Sequence, residues 1–332
     1  MHPLLRAAAE RRLGLFTAAD AHRAGYGRPE IRSLLRSGRW VRLRRGIYTT
    51  AANLARHERE GRRHQIDCLA VLIALDRPTA ALSHRTAARL WGLPGRRSQA
   101  AITRLVDPAH GRAGQGFSVT RAPLDPAEVS VRGPFRLTTV ARTLVDVARE
   151  EPLEAAVVAM DAALLAERVT RPQLADALAR ARHWRGGPRA ARAVELSDGR
   201  AESPLETRGR LRIVGAGLPA PKLQVEIRAF GRLVGVVDAW FDDAAVAVEF
   251  DGKVKYTDPW RGRTPERVLW EEKRREDELR ALDIRFVRIV DADVDGGWPR
   301  VEGRLRGLLA APGPAVRRFT ATPRARGIAR AG

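Results

Sequence analysis

Two adjacent segments of the chain carry acidic residues inside apolar, strand-like sequence. Asp238 lies in GRLVGVVDAWF, and the next segment, VAVEFDGKVKY, contains Glu249, Asp251 and Lys253 after the turn DDAA. Side chains alternate along a strand, so these last three residues share one face. A short turn makes the strands antiparallel neighbours, which brings three carboxylates and an ammonium together. Crowded carboxylates repel unless a cation joins them, and hard oxygen ligands favour Mg²⁺ (or Mn²⁺), which supports phosphate chemistry. The alternative is an ordinary Glu–Lys ladder at a solvated strand end.

Lys253 is one of only four lysines among the 60 basic residues of the chain. Its ammonium is a compact charge that differs from a planar guanidinium. A lysine kept beside carboxylates in so arginine-rich a sequence is therefore a candidate catalytic residue. We expect it to stabilise charge on phosphate oxygens while a bond breaks.

The acidic segments belong to a third unit, 201–310, with the predicted order αβββαβ. Ser203 and Glu206 have capping-box spacing at the start of its first helix, which is a sufficient structural role for that glutamate. Arg275 falls on the inward face of the last helix, where a charge either pairs or serves a site. That helix permits a crossover that returns the fourth strand to the sheet. The strands are predicted at 222–229, 232–241, 245–251 and in IRFVRIV, and the last helix at 264–282.

The stretch from SPLETRGRLR to FVRIV resembles the Vsr-like branch of the PD-(D/E)xK nuclease superfamily. The resemblance implies a restriction endonuclease-like domain in which Asp238 and Glu249 bind Mg²⁺. It also implies that Glu206 is the acid of the leading helix. Arg275 and Leu279 match the R…L pattern of this branch.

The lysine position of the superfamily has two solutions in this chain. Either Glu249, Phe250 and Asp251 form the variant found in this branch, or Asp251, Gly252 and Lys253 form a shifted, literal DxK motif. The histidines typical of Vsr itself are missing from VKYTDPW. The proton-transfer partner, and with it cleavage itself, therefore stays open.

Residues 14–50, within a first domain at 1–55, predict a small helical DNA-binding unit. Thr17 caps a short helix that ends near Gly25, and Pro29 opens a second helix that runs to about Gly38. The basic hairpin RWVRLRR-G-IYTT follows. Helix, turn, helix and hairpin form the winged-helix layout, in which the second helix enters a major groove. The expected DNA contacts, from helix and hairpin, are Arg28, Arg32, Arg36, Arg42, Arg44 and Arg45.

The segment GLFTAADAHRAGYGRPEIRSLLRSGRWVRLRRGIYTT resembles the N-terminal winged-helix domain of AbiEi-type antitoxins of type IV toxin–antitoxin systems. A mixed α/β middle domain, 56–200, continues this resemblance in SHRTAARLWGL, RTLVDVA and MDAALL. The resemblance implies DNA binding and a possible cognate toxin. The polar residues His84, Asp146 and Asp161 of the middle domain are assigned no chemistry. Residues 311–332 predict a basic, disordered tail.

The net charge of +21 predicts a polyanionic partner, most plausibly nucleic acid. The longest apolar run, CLAVLIAL, is too short to span a bilayer, so no membrane partner is expected. The N-terminus has no signal-peptide pattern, and a single cysteine, Cys68, fits a reducing compartment. The expected location is the cytoplasm, on the nucleoid.

The predicted fold class is α/β (mixed α+β), with a winged helix, a middle domain and the αβββαβ domain. The favoured function is metal-dependent hydrolysis of DNA phosphodiester bonds beside a separate DNA reader. The rival is a non-catalytic AbiEi-like repressor or antitoxin whose third domain only binds DNA or a partner. An RNA-directed nuclease is a third alternative, although aromatics at 5% give no visible stacking platform. The oligomeric state is left open.

Overall fold

The computed structural model describes residues 1–95, 102–252 and 265–325, apart from the side chains of 265–269 and Glu272. The chain divides into two compact units. Unit 1 contains Met1–Glu151 and Arg171–Ala191, and unit 2 contains Pro152–Thr170 and Arg192–Gly332. Each unit is therefore built from two separate stretches of sequence. The boundaries that the sequence predicts at 55/56 and 200/201 do not coincide with this division.

The first part of unit 1 is a winged helix, as the sequence predicts. Its elements are α1 (Pro3–Glu10), β1 (Phe16–Thr17), α2 (Ala18–Arg23), α3 (Arg28–Arg36), β2 (Trp40–Arg44) and β3 (Ile47–Thr50), with strand order β1-β3-β2. Thr17 caps α2, since its Oγ1 accepts from the Asp20 backbone N–H at 3.1 Å and Asp20 Oδ2 accepts from the Thr17 N–H at 2.9 Å. The Phe16 and Trp40 rings meet edge to face at 4.6 Å. This small aromatic core fixes α3 against the hairpin.

The remainder of unit 1 packs helices against a six-stranded sheet of order β6-β7-β5-β4-β9-β8. The apolar pattern of the sequence predicts one helix over about 58–75, but the structure has two, because Gly61 takes a left-handed conformation (φ +66°) between them. The elements are α4 (Ala51–Arg59), α5 (Arg63–Leu75), β4 (Ala81–Leu82), α6 (His84–Leu90), β5 (Thr103–Asp107), β6 (Arg112–Gly114), β7 (Phe117–Arg121), β8 (Val129–Arg132), β9 (Phe135–Thr138) and α7 (Val140–Glu150).

The winged helix and the six-stranded sheet share one hydrophobic core. Leu15 and Ile47 of the winged helix lie in the same buried cluster as Leu69 of α5, Leu105 of β5 and Val119 of β7. This shared core agrees with the placement of both parts in one compact unit.

Three helices then carry the chain between the units: α8 (Leu153–Leu165), α9 (Arg171–Ala181) and α10 (Gly187–Leu196). The helix α8 belongs to unit 2, whereas α9 belongs to unit 1. None of the helices in the described parts of the chain is long and apolar enough to cross a membrane.

Unit 2 contains the predicted αβββαβ order. Its elements are α11 (Pro204–Gly215), β10 (Lys222–Ala229), β11 (Arg232–Phe241), β12 (Val246–Asp251), α12 (Pro265–Arg280), β13 (Arg285–Val290), α13 (Trp298–Ala310) and β14 (Thr320–Pro323). The sheet order is β13-β12-β11-β10-β14. β13 is parallel to β12, so α12 provides the predicted crossover. β14 pairs with β10, although it lies inside the segment that the sequence predicts as a disordered tail. A strand forms there because alternate residues such as Phe319 and Ala321 pack on the core of the unit.

Apolar clusters cover both faces of this sheet. Val246, Val248 and Phe250 lie in one cluster with Leu205 of α11, and Ala247 lies in the other with Leu279 of α12. This alternation along β12 agrees with the sequence. The two-sided burial explains why β12 is apolar at almost every position.

Candidate functional site

The first candidate surface is the exposed side of α3. Ile31 is buried in the aromatic core, and Arg28, Arg32 and Arg36 are exposed. Residues four apart share one face of a helix, so the three guanidinium groups form a row. The sequence predicted this row.

The hairpin β2–β3 adds exposed cations beside that helix, but not all of those predicted. Arg42 and Arg45 are exposed. Arg44 instead packs within unit 1, where its Nη1 donates to Gln115 O at 3.0 Å and its guanidinium lies 5.3 Å from the Phe117 ring centroid. Burial lowers the pKa of Arg44. Strand alternation did not reveal this, because Gln115 is distant in sequence.

The cations of α3 and the hairpin are not neutralised by neighbouring carboxylates. Within the described ranges none of Arg28, Arg32, Arg36, Arg42 and Arg45 forms an ion pair, and we call these five residues the basic face. The buried acid nearby, Asp20, is instead paired with Arg12 at 2.9 Å and with Arg23. Free guanidinium groups on a recognition helix and wing are available to phosphates and base edges.

The second candidate site lies in unit 2, where α11 positions Glu206. Ser203 caps this helix by accepting from the Glu206 backbone N–H at 3.1 Å. The Glu206 side chain is 4% exposed, and its Oε2 accepts from the Glu202 N–H at 2.8 Å and from Gln224 Nε2 at 3.0 Å. Glu206 therefore combines the predicted helix-start role with a contact to the sheet.

Asp238 is the acid of the central strand β11. It is 1% exposed, its Oδ2 accepts from the Phe250 backbone N–H at 2.8 Å, and its Oδ1 lies 3.4 Å from Gln224 Nε2. Asp238 thus joins β11 to β12 and to β10. One amide, that of Gln224, bridges the carboxylates of Asp238 and Glu206.

The alternation predicted for β11 is interrupted at this bridge. Leu223 and Ala239 belong to one core cluster, whereas Val225 and Val237 belong to the other. Residues two apart should share a face. The interruption coincides with Gln224, whose φ of +51° is left-handed and strained for a residue with a side chain.

The other predicted acids pair with arginines. Glu249 Oε1 lies 3.6 Å from Arg275 Nη2, and Asp251 Oδ2 lies 3.0 Å from Arg288 Nε. Arg275 lies close to the sheet because Gly235 has no side chain, since a Cβ there would be 3.0 Å from Arg275 Cδ. Lys253 lies outside the described residues. Among the described residues, Asp238 is therefore bridged to Glu206 by Gln224, and Glu249 and Asp251 face arginines, while the predicted convergence with Lys253 stays a prediction.

The carboxylate oxygens expected to bind Mg²⁺ or Mn²⁺ thus already accept hydrogen bonds or face guanidinium groups. Across 1–95, 102–252 and 265–325, no three His, Cys, Asp or Glu side chains are close enough to share a metal ion. The described side chains alone do not complete a three-ligand site, so the metal site of Asp238, Glu249 and Asp251 stays a prediction.

Gln224 is the site residue that the sequence reasoning missed. It is 3% exposed, and its Oε1 has no hydrogen-bond partner among the described atoms. A buried amide oxygen without a donor is energetically costly. The available signal was one polar residue between Leu223 and Val225, in a strand that faces the Asp238 strand.

The polar residues of the middle segment have structural partners in unit 1. His84 Nε2 lies 3.2 Å from Glu150 Oε1. Burial favours a higher pKa for the Glu150 carboxyl, but His84 and Arg104 lower that pKa to about 2. Asp146 Oδ2 accepts from Arg142 Nε at 3.0 Å. These contacts account for both residues without a catalytic role.

Asp161 has structural partners in unit 2. Its Oδ2 accepts from Arg210 Nη2 and from Thr207 Oγ1, each at 2.9 Å, and its Oδ1 accepts from the Asp198 N–H at 2.6 Å. Burial raises the pKa of Asp161 above its ordinary value, and these donors oppose that shift. The carboxylate fastens α8 to α11, the helix that carries Glu206.

Comparison with known proteins bears on the winged helix. Residues 3–51 match the family described as transcriptional regulator, AbiEi antitoxin. Two curated proteins, described as uncharacterized and from two strains of Mycobacterium tuberculosis, are each 33% identical over 173 residues, which is 52% of this chain and 60% of theirs. The chain thus spans less than two thirds of these relatives. The family match does not reach 201–310, so the nuclease resemblance of that segment stays a prediction. The N-terminal part of this chain is similar to the AbiEi antitoxin family of transcriptional regulators.

Proposed function

We propose that the protein is a DNA-binding transcriptional regulator of the AbiEi antitoxin type. The observation that supports this most directly is the basic face, five exposed arginines on α3 and the β2–β3 hairpin without carboxylate partners among the described residues. In a winged helix the second helix enters the major groove and the wing contacts the backbone. Here α3 would lie in the groove with Arg32 and Arg36 against the flanking phosphates, and the hairpin arginines would hold the adjoining backbone.

Binding by this face has a predictable electrostatic signature. Each phosphate contact releases counterions and contributes about one unit of slope to a log–log plot of affinity against salt. A cognate toxin, if one exists, would bind elsewhere on the chain or compete for the same face. Repression of its own promoter is the simplest regulatory output of such a protein.

Anisotropy titrations with a labelled duplex from the protein's own promoter test the proposal. Replacing Arg32 and Arg36 with alanine should weaken binding and reduce the salt slope by about two units. Arg192→Ala removes one positive charge from an arginine that pairs with Glu195 at 2.8 Å, and it should change neither quantity. If the double variant keeps the salt slope of the parent protein, the arginines of α3 do not contact phosphates and only reflect the arginine-rich composition of the chain. That result would overturn the proposal.

A second candidate function is phosphodiester hydrolysis by unit 2. Its support is the αβββαβ order together with the Gln224 bridge between Glu206 and Asp238. Mg²⁺ would be held, as the sequence predicts, by Asp238 with Glu249 or Asp251. Nicking of a supercoiled plasmid with Mg²⁺ or Mn²⁺ tests it, with an RNA substrate as a separate arm. Activity should disappear in Asp238→Asn and persist in Asp243→Asn, whose residue is exposed in the next turn. If the parent protein cleaves neither substrate, this candidate is removed and the regulator remains.

A further inference from the structure

The tip of the β10–β11 hairpin in unit 2 carries an aromatic residue in an unfavourable position. Phe230 and Gly231 form the turn with φ of +52° and +73°. Two residues with positive φ make the primed turn that suits twisted strands, and such turns select Asn-Gly. A bulky side chain is strained in this conformation. The Phe230 side chain is also 80% exposed, so it gains no burial in return.

A second exposed aromatic, Trp270, lies on α12 and is 60% exposed. The Arg274 guanidinium lies 5.5 Å from its ring centroid. Among the described residues, Phe230 and Trp270 are the only aromatic side chains in the exposed class. The structure therefore exposes both of them in the same unit.

Ion pairs connect the two aromatic positions across one surface. Glu278 Oε2 lies 2.9 Å from Arg232 Nη2, and Glu278 Oε1 lies 3.2 Å from Arg274 Nε. Arg232 directly follows the hairpin turn, and Arg274 covers Trp270. Trp270 and Glu278 are eight residues apart on one helix, or about 12 Å along its axis. We name Phe230, Arg232, Trp270 and Arg274 the aromatic ridge.

We infer that the aromatic ridge binds unpaired nucleic acid, with bases stacked on Phe230 and Trp270 and phosphates held by the two arginines. Exposed rings interleaved with cations are the usual platform for single strands, because every base offers a flat face and every linkage a negative charge. The two arginines of the ridge share one carboxylate partner, Glu278, which leaves them one positive charge in excess, and the chain has a net charge of +21. An acidic single strand thus complements it better than a neutral protein surface does.

This contact is separate from the basic face. Bases in a duplex already stack on one another and offer no free face to the ridge, whereas α3 requires a duplex groove. The low aromatic content of the chain does not oppose the assignment, because exposure matters more than number. The strain at Phe230 is then the cost of presenting a ring at the hairpin tip.

Anisotropy titration of a labelled oligothymidine with the full chain tests the inference. Phe230→Asn and Trp270→Ala should each weaken binding about tenfold, the effect expected for loss of one stacked base. Phe230→Asn is informative because asparagine suits positive φ, so it should preserve or raise the melting temperature while affinity falls. Phe230→Tyr should retain the affinity. Val131→Ala, at a side chain of unit 1 that is 74% exposed, is the control and should change nothing.

The same titrations in the Arg32→Ala, Arg36→Ala background separate this inference from the proposed regulator. If that background loses duplex binding while Phe230→Asn and Trp270→Ala still weaken oligothymidine binding, the result supports the ridge. This holds whether or not the protein binds its own promoter. Equal oligothymidine affinity of the parent, Phe230→Asn and Trp270→Ala overturns the inference, as does absence of binding by the parent. Light scattering that shows self-association lost in Phe230→Asn, with oligothymidine affinity unchanged, would assign the ridge to a second copy of the chain and also overturn it.

Discussion

Gln224 bridges the two buried acids Glu206 and Asp238, and the free energy that this residue costs indicates that the bridge is its role. Burying two carboxylates next to each other is unfavourable unless donors satisfy them. Gln224 supplies donors to Glu206 Oε2 and Asp238 Oδ1 from a backbone conformation that few side chains tolerate. Its own Oε1 has no partner among the described atoms. The strain and the unmet acceptor are thus the energetic cost of joining the two acids.

Asp238→Asn should destabilise unit 2 despite its equal size. Both Asp238 oxygens accept hydrogen bonds, one from the Phe250 N–H and one from Gln224, and asparagine has only one acceptor. The asparagine NH2 group would then face either the Phe250 N–H or the Gln224 amide N–H, so one buried donor would lose its acceptor, at a cost of about 1–3 kcal/mol. Urea unfolding followed by fluorescence measures this, with the exposed Asp243→Asn as control. Equal midpoints for the two variants would show that the hydrogen bonds of Asp238 contribute nothing.

The stability of unit 1 should depend on pH through His57. This side chain in α4 is 2% exposed, and burial together with the charges of Arg56 and Arg62 lowers the pKa of its ring below 6.5. The folded state then binds fewer protons than the unfolded state, so stability falls as the pH decreases through about 6.5. His57→Leu should flatten this dependence when the free energy of unfolding is measured from about pH 8 to pH 5. A dependence that survives unchanged would assign it to other groups.

At the scale of elements, local signals were sufficient wherever neighbours in sequence decide the structure. The Thr17 cap, the Ser203 cap and the αβββαβ order follow from capping residues and apolar periodicity. Gly61, in contrast, divides a helix that periodicity extends, because a single left-handed residue leaves the apolar pattern on both sides intact. A nucleic-acid contact was predicted for Arg44 from its place in the basic hairpin, yet its partner lies in a turn that is distant in sequence.

Only part of the acidic site could be predicted, because local signals select residues but do not show partners that are distant in sequence. Asp238 was selected as an acid in an apolar strand, Glu206 by the nuclease resemblance and Arg275 by its place on an inward helix face. The structure buries or half-buries all three. Their individual partners could not be predicted, because Gln224 interrupts the strand alternation that placed them. A bulge-like change of face depends on both sheet neighbours at once, and no pattern within one strand encodes it.

The attachment of α8 to α11 should depend on one buried ion pair. Asp161 and Arg210 are almost fully buried and 2.9 Å apart, so Asp161→Ala leaves an unpaired buried guanidinium and should cost about 3–5 kcal/mol. Glu154→Ala is the matched control, because Glu154 on the same helix pairs with Arg208 at 2.9 Å from a side chain that is 36% exposed. That pair should contribute no more than about 1 kcal/mol. Urea denaturation of both variants compares them, and equal losses would refute the role of burial.

At the scale of the whole molecule, the chain is interleaved rather than divided end to end. It leaves unit 1 after Glu151, returns at Arg171 and leaves again after Ala191. The apolar helix α8 reads in sequence like any other helix of the middle segment, so its membership could not be predicted from periodicity. Asp161 of this helix gains its partners from Arg210 and Thr207 of α11 and from the Asp198 backbone, all of them distant in sequence. Boundaries drawn from composition therefore miss it.

This interleaving predicts how fragments behave. A fragment 201–332, cut at the boundary that the sequence predicts, lacks α8, so Arg210 loses Asp161 and the apolar side of α11 that contacts α8 is exposed to water. A fragment 152–332 keeps α8 and should unfold cooperatively, with a higher urea midpoint. Trp240, which is 0% exposed in this unit, reports the transition by fluorescence. Addition of a peptide of residues 152–170 to the short fragment should raise its midpoint toward that of the long one. The same peptide with Asp161→Ala is the control and should have little effect. If the two fragments unfold at one midpoint, α8 is not an integral part of unit 2.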